Sequence, residues 1–318
     1  MTGKMKKYRH TAYDDAFRTV EQECPDALIH FINQIFGENY NRFDKVELLR
    51  NEHYTQTEGG EEVKKVTDSH FRIKTPKEVK NYHLECESSG YSKTILIRML
   101  EYGVQDAIED REVTHNKISI KFPKAGLVVL RDRGNPPNSA VIEFETPGGL
   151  VNYNVPIIRM RDYDINTLFS QKIYFLIPFY FFNQESRLKE YNNSKEEIEE
   201  FVELYCSIIE RLKELPESEL SLRSKGVIIK QMEQVIYRLA YKRKNIKDKV
   251  GDIMGGNVVK MDWLEKYDAA VEQAVEQGVE KAASKLLSKG KTVEEVAELL
   301  DMDIEKVQEI EKKMLVES

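Results

Sequence analysis

Between positions 64 and 160 the chain changes from two-residue periodicity to helical periodicity and back. That alternation excludes a pure helical bundle and a pure β barrel. Runs of strand character cover 45–54, 64–74 and 81–88, with GGEE at 59–62 and KTPKE at 74–78 as the turns between them. An amphipathic helix is predicted over 91–111, where Ile95, Met99, Leu100 and Val104 lie on or near one face and Arg98, Glu101 and Gln105 are polar. Three further β runs cover 125–131, 140–146 and 151–160; a proline-rich turn at 134–137 follows the first, and Pro147-Gly148-Gly149 joins the other two. The mixture indicates an α/β or α+β core, and the class expected is α/β, a mixed sheet flanked by helices.

Helical patterns surround this block. Residues 13–36 read as helix broken at Cys24-Pro25, with Phe17, Val20, Leu28, Phe31, Ile32, Ile35 and Phe36 at helical spacing. Asp164 is a good N-cap for a helix running through Leu168, Tyr174 and Leu176 to Pro178. Helices are expected over 195–215 and 225–243, and a loop over 251–256. After Trp263 the chain is rich in Ala, Glu and Gln, with a seam of Val271, Val275, Val279, Ala282 and Leu286. The expected organisation is a sheet domain over 1–190, a helical extension over 191–260 and a helical tail over 261–318. Within the tail, 292–314 reads as two short helices joined at 301–303, resembling a helix-turn-helix. Its second helix carries Glu305, Gln308, Glu309 and Glu311 instead of base-reading cations, so packing or self-association through the tail is expected.

In 318 residues no run of eighteen apolar residues occurs; the longest apolar segment, 173–182, is about half of what a membrane span needs. The basic start lacks an apolar stretch of signal-peptide type, and Cys24, Cys86 and Cys206 have no zinc or disulfide spacing. A reducing cytoplasm is the expected location. The net charge of −7 does not advertise a nucleic-acid partner, but phosphate binding depends on local patches. The most basic stretch, 223–249, offers Arg238, Lys242, Arg243 and Lys244 to phosphates; a solvated helix face accounts for the same residues.

The chemistry concentrates in VTDSHFRIK followed by YHLECES. Alternate strand residues share a face, so His83, Glu85 and Glu87 point one way and Leu84 and Cys86 the other. If the two strands form a hairpin, Asp68 approaches Glu85. Two carboxylates about 4 Å apart repel by roughly 4 kcal/mol at an effective dielectric near 20. A cation or a proton must relieve that repulsion, and magnesium, which takes oxygen ligands and can bridge a phosphate, suits such a pair. The competing reading is a solvated surface pair; against it stands the position of Glu85 in mid-strand between Leu84 and Cys86, where an unpaired carboxylate is costly to desolvate.

YDDAFR near the start, the Asp68 strand, LECES at 84–88, IRMLEY at 97–102, FPKAGLVVLRD, VPIIRMRDYD and KIYFLIPFYFF together resemble the Rpn group of recombination-promoting nucleases and transposase-like proteins, of the PD-(D/E)XK superfamily. The resemblance covers roughly residues 10–185. It implies a restriction-endonuclease-like fold and an endonuclease that cuts DNA with magnesium. It also implies Asp68 and Glu85 as metal carboxylates, Asp14 as the acidic residue of the first-helix motif, and Arg98 with Tyr102 as an Arg-x-x-x-Tyr pair. One position departs. Where the superfamily has Lys, and this group often Gln, two residues after the second carboxylate, the chain has Glu87. An ionised Glu cannot donate a hydrogen bond, so Glu87 is either an extra ligand or a mark of weakened catalysis. Lys93 is a candidate for the missing cation.

Overall fold

The computed structural model describes residues 12–49, 52–56, 62–66, 69–254, 278–300 and 302–317. The chain divides into two compact units, Met1–Val259 and Lys260–Ser318. Residues 191–259, expected as a separate extension, therefore belong to the same unit as the sheet.

The first unit opens with helices α1 (Ala12–Glu23) and α2 (Pro25–Phe36), divided where Pro25 starts a new helix. α2 ends at Gly37, whose φ of 64° is the left-handed conformation that glycine adopts without strain. The strands that follow are β1 (Lys45–Leu48), β2 (Glu52–Gln56), β3 (Glu62–Val66), β4 (Ser69–Lys74) and β5 (Val79–Glu87). Helix α3 (Lys93–Glu109) crosses to β8 (Lys124–Val129) past a short ribbon of β6 (Glu112–Val113) and β7 (Ile118–Ser119). A hairpin of β9 (Ser139–Thr146) and β10 (Gly149–Arg159) completes the strands. The main sheet has the order β1-β4-β5-β8-β10-β9. β5, β8 and β10 run parallel to one another, whereas β1, β4 and β9 join antiparallel. The single runs expected over 45–54 and 64–74 are each two strands, because β2 and β3 leave the sheet to pair with each other.

One face of the sheet is covered by α3. Its Ile95 and Met99 pack with Ala125, Leu127 and Val129 of β8 and Val155 and Ile157 of β10. On the opposite face Gly126 leaves room for Phe36 of α2 beside Leu84, since a Cβ there would sit 3.2 Å from both side chains. The lone-glycine gap in an otherwise apolar strand thus marks close packing.

After the sheet, α4 (Ile165–Ser170) is capped by the Asp164 carboxylate, which accepts from the Thr167 backbone N–H at 2.7 Å. It stops at Lys172, whose φ is 58°, and the chain continues as a 3-10 segment, Tyr174–Gln184, with Pro178 inside it. The single helix expected from 164 to 178 is corrected accordingly. Helices α5 (Leu188–Asn193), α6 (Lys195–Glu214), α7 (Leu222–Leu239) and α8 (Lys244–Met254) complete the unit. Gly251, expected in a loop, lies in α8. α7 packs against α1 and the 3-10 segment, which explains why the extension does not separate.

The second unit has its own core. A helix over 278–287 and helices Val293–Leu300 and Ile304–Glu317 bury Ala283, Val296, Ala297, Val307 and Ile310 together. Thr292 and Glu295 form a capping box: the Glu295 N–H donates to Thr292 Oγ1 at 3.2 Å and the Thr292 N–H donates to Glu295 Oε2 at 3.0 Å. Of the expected seam, Leu286 packs against this internal core, while Val271 and Val275 lie outside the described residues. No described helix is long and apolar enough to cross a membrane.

Candidate functional site

β4 and β5 form the anticipated hairpin, with Ser69 opposite Leu84 and His70 opposite His83. Paired residues share a face, so Ser69 turns toward the α1 side with Leu84, and His70, His83 and Glu85 turn toward α3. Asp68, the first expected metal carboxylate, lies outside the described residues.

Glu85 is 1% exposed, in mid-sheet. Its Oε2 accepts from Arg98 Nη2 at 2.6 Å, and its Oε1 accepts from His83 Nε2 at 3.2 Å. Burial pushes the carboxyl upward in pKa, but the His83 hydrogen bond and the Arg98 charge outweigh it, and Glu85 is held below the usual carboxylate range. Arg98 keeps 18% of its side chain exposed and so links this buried anion to solvent.

Three positions on α3 meet this face in register. Arg98 reaches Glu85, the Tyr102 ring stands edge-on to the His83 ring at 5.9 Å, and Asp106 Oδ1 lies 3.2 Å from His70 Nδ1. Four residues of helix advance about 6 Å and two of strand about 6.7 Å, so Arg98 and Tyr102 keep step with Glu85 and His83 on β5, while Asp106 turns to His70, opposite His83 on β4. Burial, reinforced by Glu109 and Asp110 and opposed by His83, raises the Asp106 carboxyl to about 7.

Other predicted positions fall as follows. Glu87 is half-buried, and its Oε1 accepts from the Ser89 N–H at 2.9 Å and from the Ser89 hydroxyl. It closes the turn after β5. Lys93 is exposed in the first turn of α3. Asp14 is half-buried in the first turn of α1. That helix touches the sheet through the Ser69 hydroxyl, which donates to Glu21 on the face opposite Glu85. Arg238, Lys242, Arg243 and Lys244 gather around the turn between α7 and α8; Arg243 is half-buried and donates from Nη1 to the Leu239 carbonyl at 3.0 Å.

Sequence reasoning did not find His70, Asp106 or Glu21. A signal was present for Asp106, which continues the four-residue spacing from Arg98 through Tyr102. Glu21 is buried, and burial drives its carboxyl up to about 8 against the Ser69 hydrogen bond and Arg18.

A cleft of about 730 Å³ opens beyond the carboxyl ends of the parallel strands, lined by Arg131 and Arg133 after β8 and by Arg161 and Tyr163 after β10. Crevices of this kind are where open α/β sheets bind ligands. Arg131 is pinned: it donates to both Glu185 oxygens at 2.7 and 2.8 Å, to the Ser88 carbonyl at the end of β5, and lies over the rings of Tyr13 and Phe182. Arg133 is exposed and has no ion-pair partner among the described residues. The loops after β5 and β8 interlock, with the Tyr91 N–H donating to the Arg133 carbonyl at 2.8 Å. Gly134 has φ 77°, and a Cβ there would stand 2.2 Å from the Tyr91 carbonyl oxygen.

No family model, curated protein or solved structure matches this chain.

The site must therefore be judged on its own geometry. Among the described residues no three His, Cys, Asp or Glu side chains converge as a metal site. Both Glu85 oxygens already accept hydrogen bonds. The described residues alone do not form a magnesium site.

Proposed function

We propose that this chain is a DNA endonuclease of restriction-endonuclease-like fold, with the Glu85–Arg98 pair at its centre and the cleft beside Arg131 and Arg133 receiving the phosphodiester backbone. The observation that carries the reading is Glu85 itself: a 1%-exposed carboxylate kept ionised in mid-sheet. Removing such a charge from water is expensive, and an apolar residue of similar volume would suit the core as well or better. Retention of the charge is explained by use. Parallel strand ends, a cleft with an uncommitted arginine, and the Rpn-like order of motifs support the same reading.

Magnesium belongs to the proposal through Asp68 and Glu85; bound there, it would polarise the scissile phosphate. Glu85 would have to exchange at least one present partner for the ion, and Arg98 is the partner with access to solvent. Arg98, once released, is placed to meet phosphate charge.

Plasmid DNA incubated with the full chain and Mg²⁺ should be nicked or degraded, EDTA should stop the reaction, and Glu85→Gln should abolish it while keeping the wild-type circular dichroism spectrum. Undiminished cutting by that variant overturns the assignment. A second reading, a nuclease-like module that binds DNA without turnover, is favoured by the full engagement of Glu85 and by Glu87 closing a turn where a catalytic cation would stand. A calorimetric Mg²⁺ titration without heat, alongside intact DNA binding, would select it.

A further inference from the structure

The turn between α7 and α8 reverses the charge of the chain. From 238 to 249 the basic residues are Arg238, Lys242, Arg243, Lys244, Lys247 and Lys249 against the single acid Asp248, in a chain of net charge −7. At the centre of this turn Tyr241 is 67% exposed. Beside it a pocket of about 470 Å³ is lined by Lys189, Asn192, Asn193, Tyr241, Lys242 and Arg243. That volume lies within the range of small-ligand sites.

The frame of the pocket is fixed. The Asn245 N–H donates to Asn192 Oδ1 at 3.1 Å and Asn245 Nδ2 donates to the Asn192 carbonyl at 2.7 Å, tying α8 to α5. The Arg243 N–H donates to the Ala240 carbonyl at 2.8 Å, and its guanidinium holds the Leu239 carbonyl. By contrast no carboxylate pairs with Lys189, Lys242 or Lys244 among the described residues. Two unneutralised ammonium groups, Lys189 and Lys242, lining one pocket with an exposed aromatic ring on a pinned frame call for a ligand with negative charge and a flat ring.

The pocket lies close to the cleft along the chain. Ser186 lines the cleft and Lys189 lines the pocket, three residues apart and hence separated by at most about 11 Å of chain. Arg238 acts electrostatically on Tyr13, whose ring lies under Arg131 at the edge of the cleft.

We infer that this pocket holds an unpaired nucleotide of a nucleic-acid strand lying in the cleft, its base stacked on Tyr241 and its phosphates met by Lys189 and Lys242. A base buried in a duplex has no free face for Tyr241, so the inference deepens the nuclease reading toward substrates with single-stranded character, and it rests on that reading.

The test is fluorescence anisotropy of the full chain in EDTA, where binding is read without turnover, using labelled dT20, rU20 and a 20-base-pair duplex. Tyr241→Ala should weaken dT20 or rU20 binding by about 5- to 150-fold, the range of one lost stacking contact, and leave the duplex unaffected. Tyr241→Phe should bind as wild type. Lys189→Gln with Lys242→Gln should reduce the slope of log affinity against log salt by about 1.4. All four substitutions fall at three exposed positions, so melting curves should match wild type. The inference is overturned if Tyr241→Ala binds both single strands normally, if duplex binding falls in parallel, or if dTMP displaces dT20 at comparable concentration, which would assign the pocket to free nucleotide. The Glu85→Gln cleavage assay stands apart from every one of these results.

Discussion

Arg98 closes on Glu85 at 2.6 Å from a helix that packs across the strand bearing the carboxylate. Because the carboxylate is fully buried and the Arg98 side chain keeps a small exposed part, the two partners are unequal: losing Arg98 leaves a buried charge with only His83 beside it, whereas losing Glu85 leaves a cation with access to water.

Arg98→Met should therefore destabilise the fold by about 3 kcal/mol at neutral pH, the lower end for breaking a buried pair, measured by urea denaturation. The folded pKa of Glu85 is depressed, so its contribution is present above the unfolded value near 4.5 and disappears as pH falls through the folded value. The gap between wild type and Arg98→Met should narrow as the medium is acidified toward the folded value of Glu85, since a protonated Glu85 no longer needs the Arg98 charge. A gap that stays constant down to the acid transition would contradict ionisation of Glu85 in the folded state.

Glu21 works in the opposite sense. Its carboxyl rises to about 8 on folding, so the protonated form is favoured in the folded state; that stability is complete below about 4.5 and is lost as pH climbs through 8. Glu21→Gln can keep an acceptor toward Ser69 without the titrating proton. It should raise the unfolding free energy at pH 9 by on the order of 1–3 kcal/mol and change it little at pH 5. Equal shifts at both pH values would show that burial of the charge is not the cause.

Two glycines of positive φ should separate strain from crowding. Gly37→Ala meets nothing within 4 Å and should cost about 1 kcal/mol from backbone conformation alone. Gly134→Ala adds a collision with the Tyr91 carbonyl and should cost at least about 2 kcal/mol. Thermal unfolding of the two variants side by side checks the order.

In the second unit, Thr292→Ala removes half of a capping box and should cost about 1 kcal/mol. Hydrogen exchange should quicken in Val293–Leu300, the helix it starts. Unchanged protection there would mean the cap is not formed in solution.

Much of this was legible along the chain. The period-two alternation around Leu84 and Cys86 fixed the side of the strand on which Glu85 lies, and the four-residue spacing of Arg98 and Tyr102 put both on one side of their helix. What escaped were relationships set by pairing between distant segments. His70 comes opposite His83 only through the β4–β5 register, and Asp106 meets His70 only once α3 is docked. Local signals also misled: Gly251 continues a helix, and the segment around Pro178, buried among aromatic side chains, is a 3-10 helix.

The polar stripe on α3 has a mechanical consequence. Arg98, Tyr102 and Asp106 are rigidly attached to one rod, so a slip of a single residue in the short link from Glu87 to Lys93 would rotate all of them away by roughly 100°. The acidic centre would not degrade piecemeal. It would be disconnected in one stroke, which makes the length of that link as much a determinant of the site as any side chain within it.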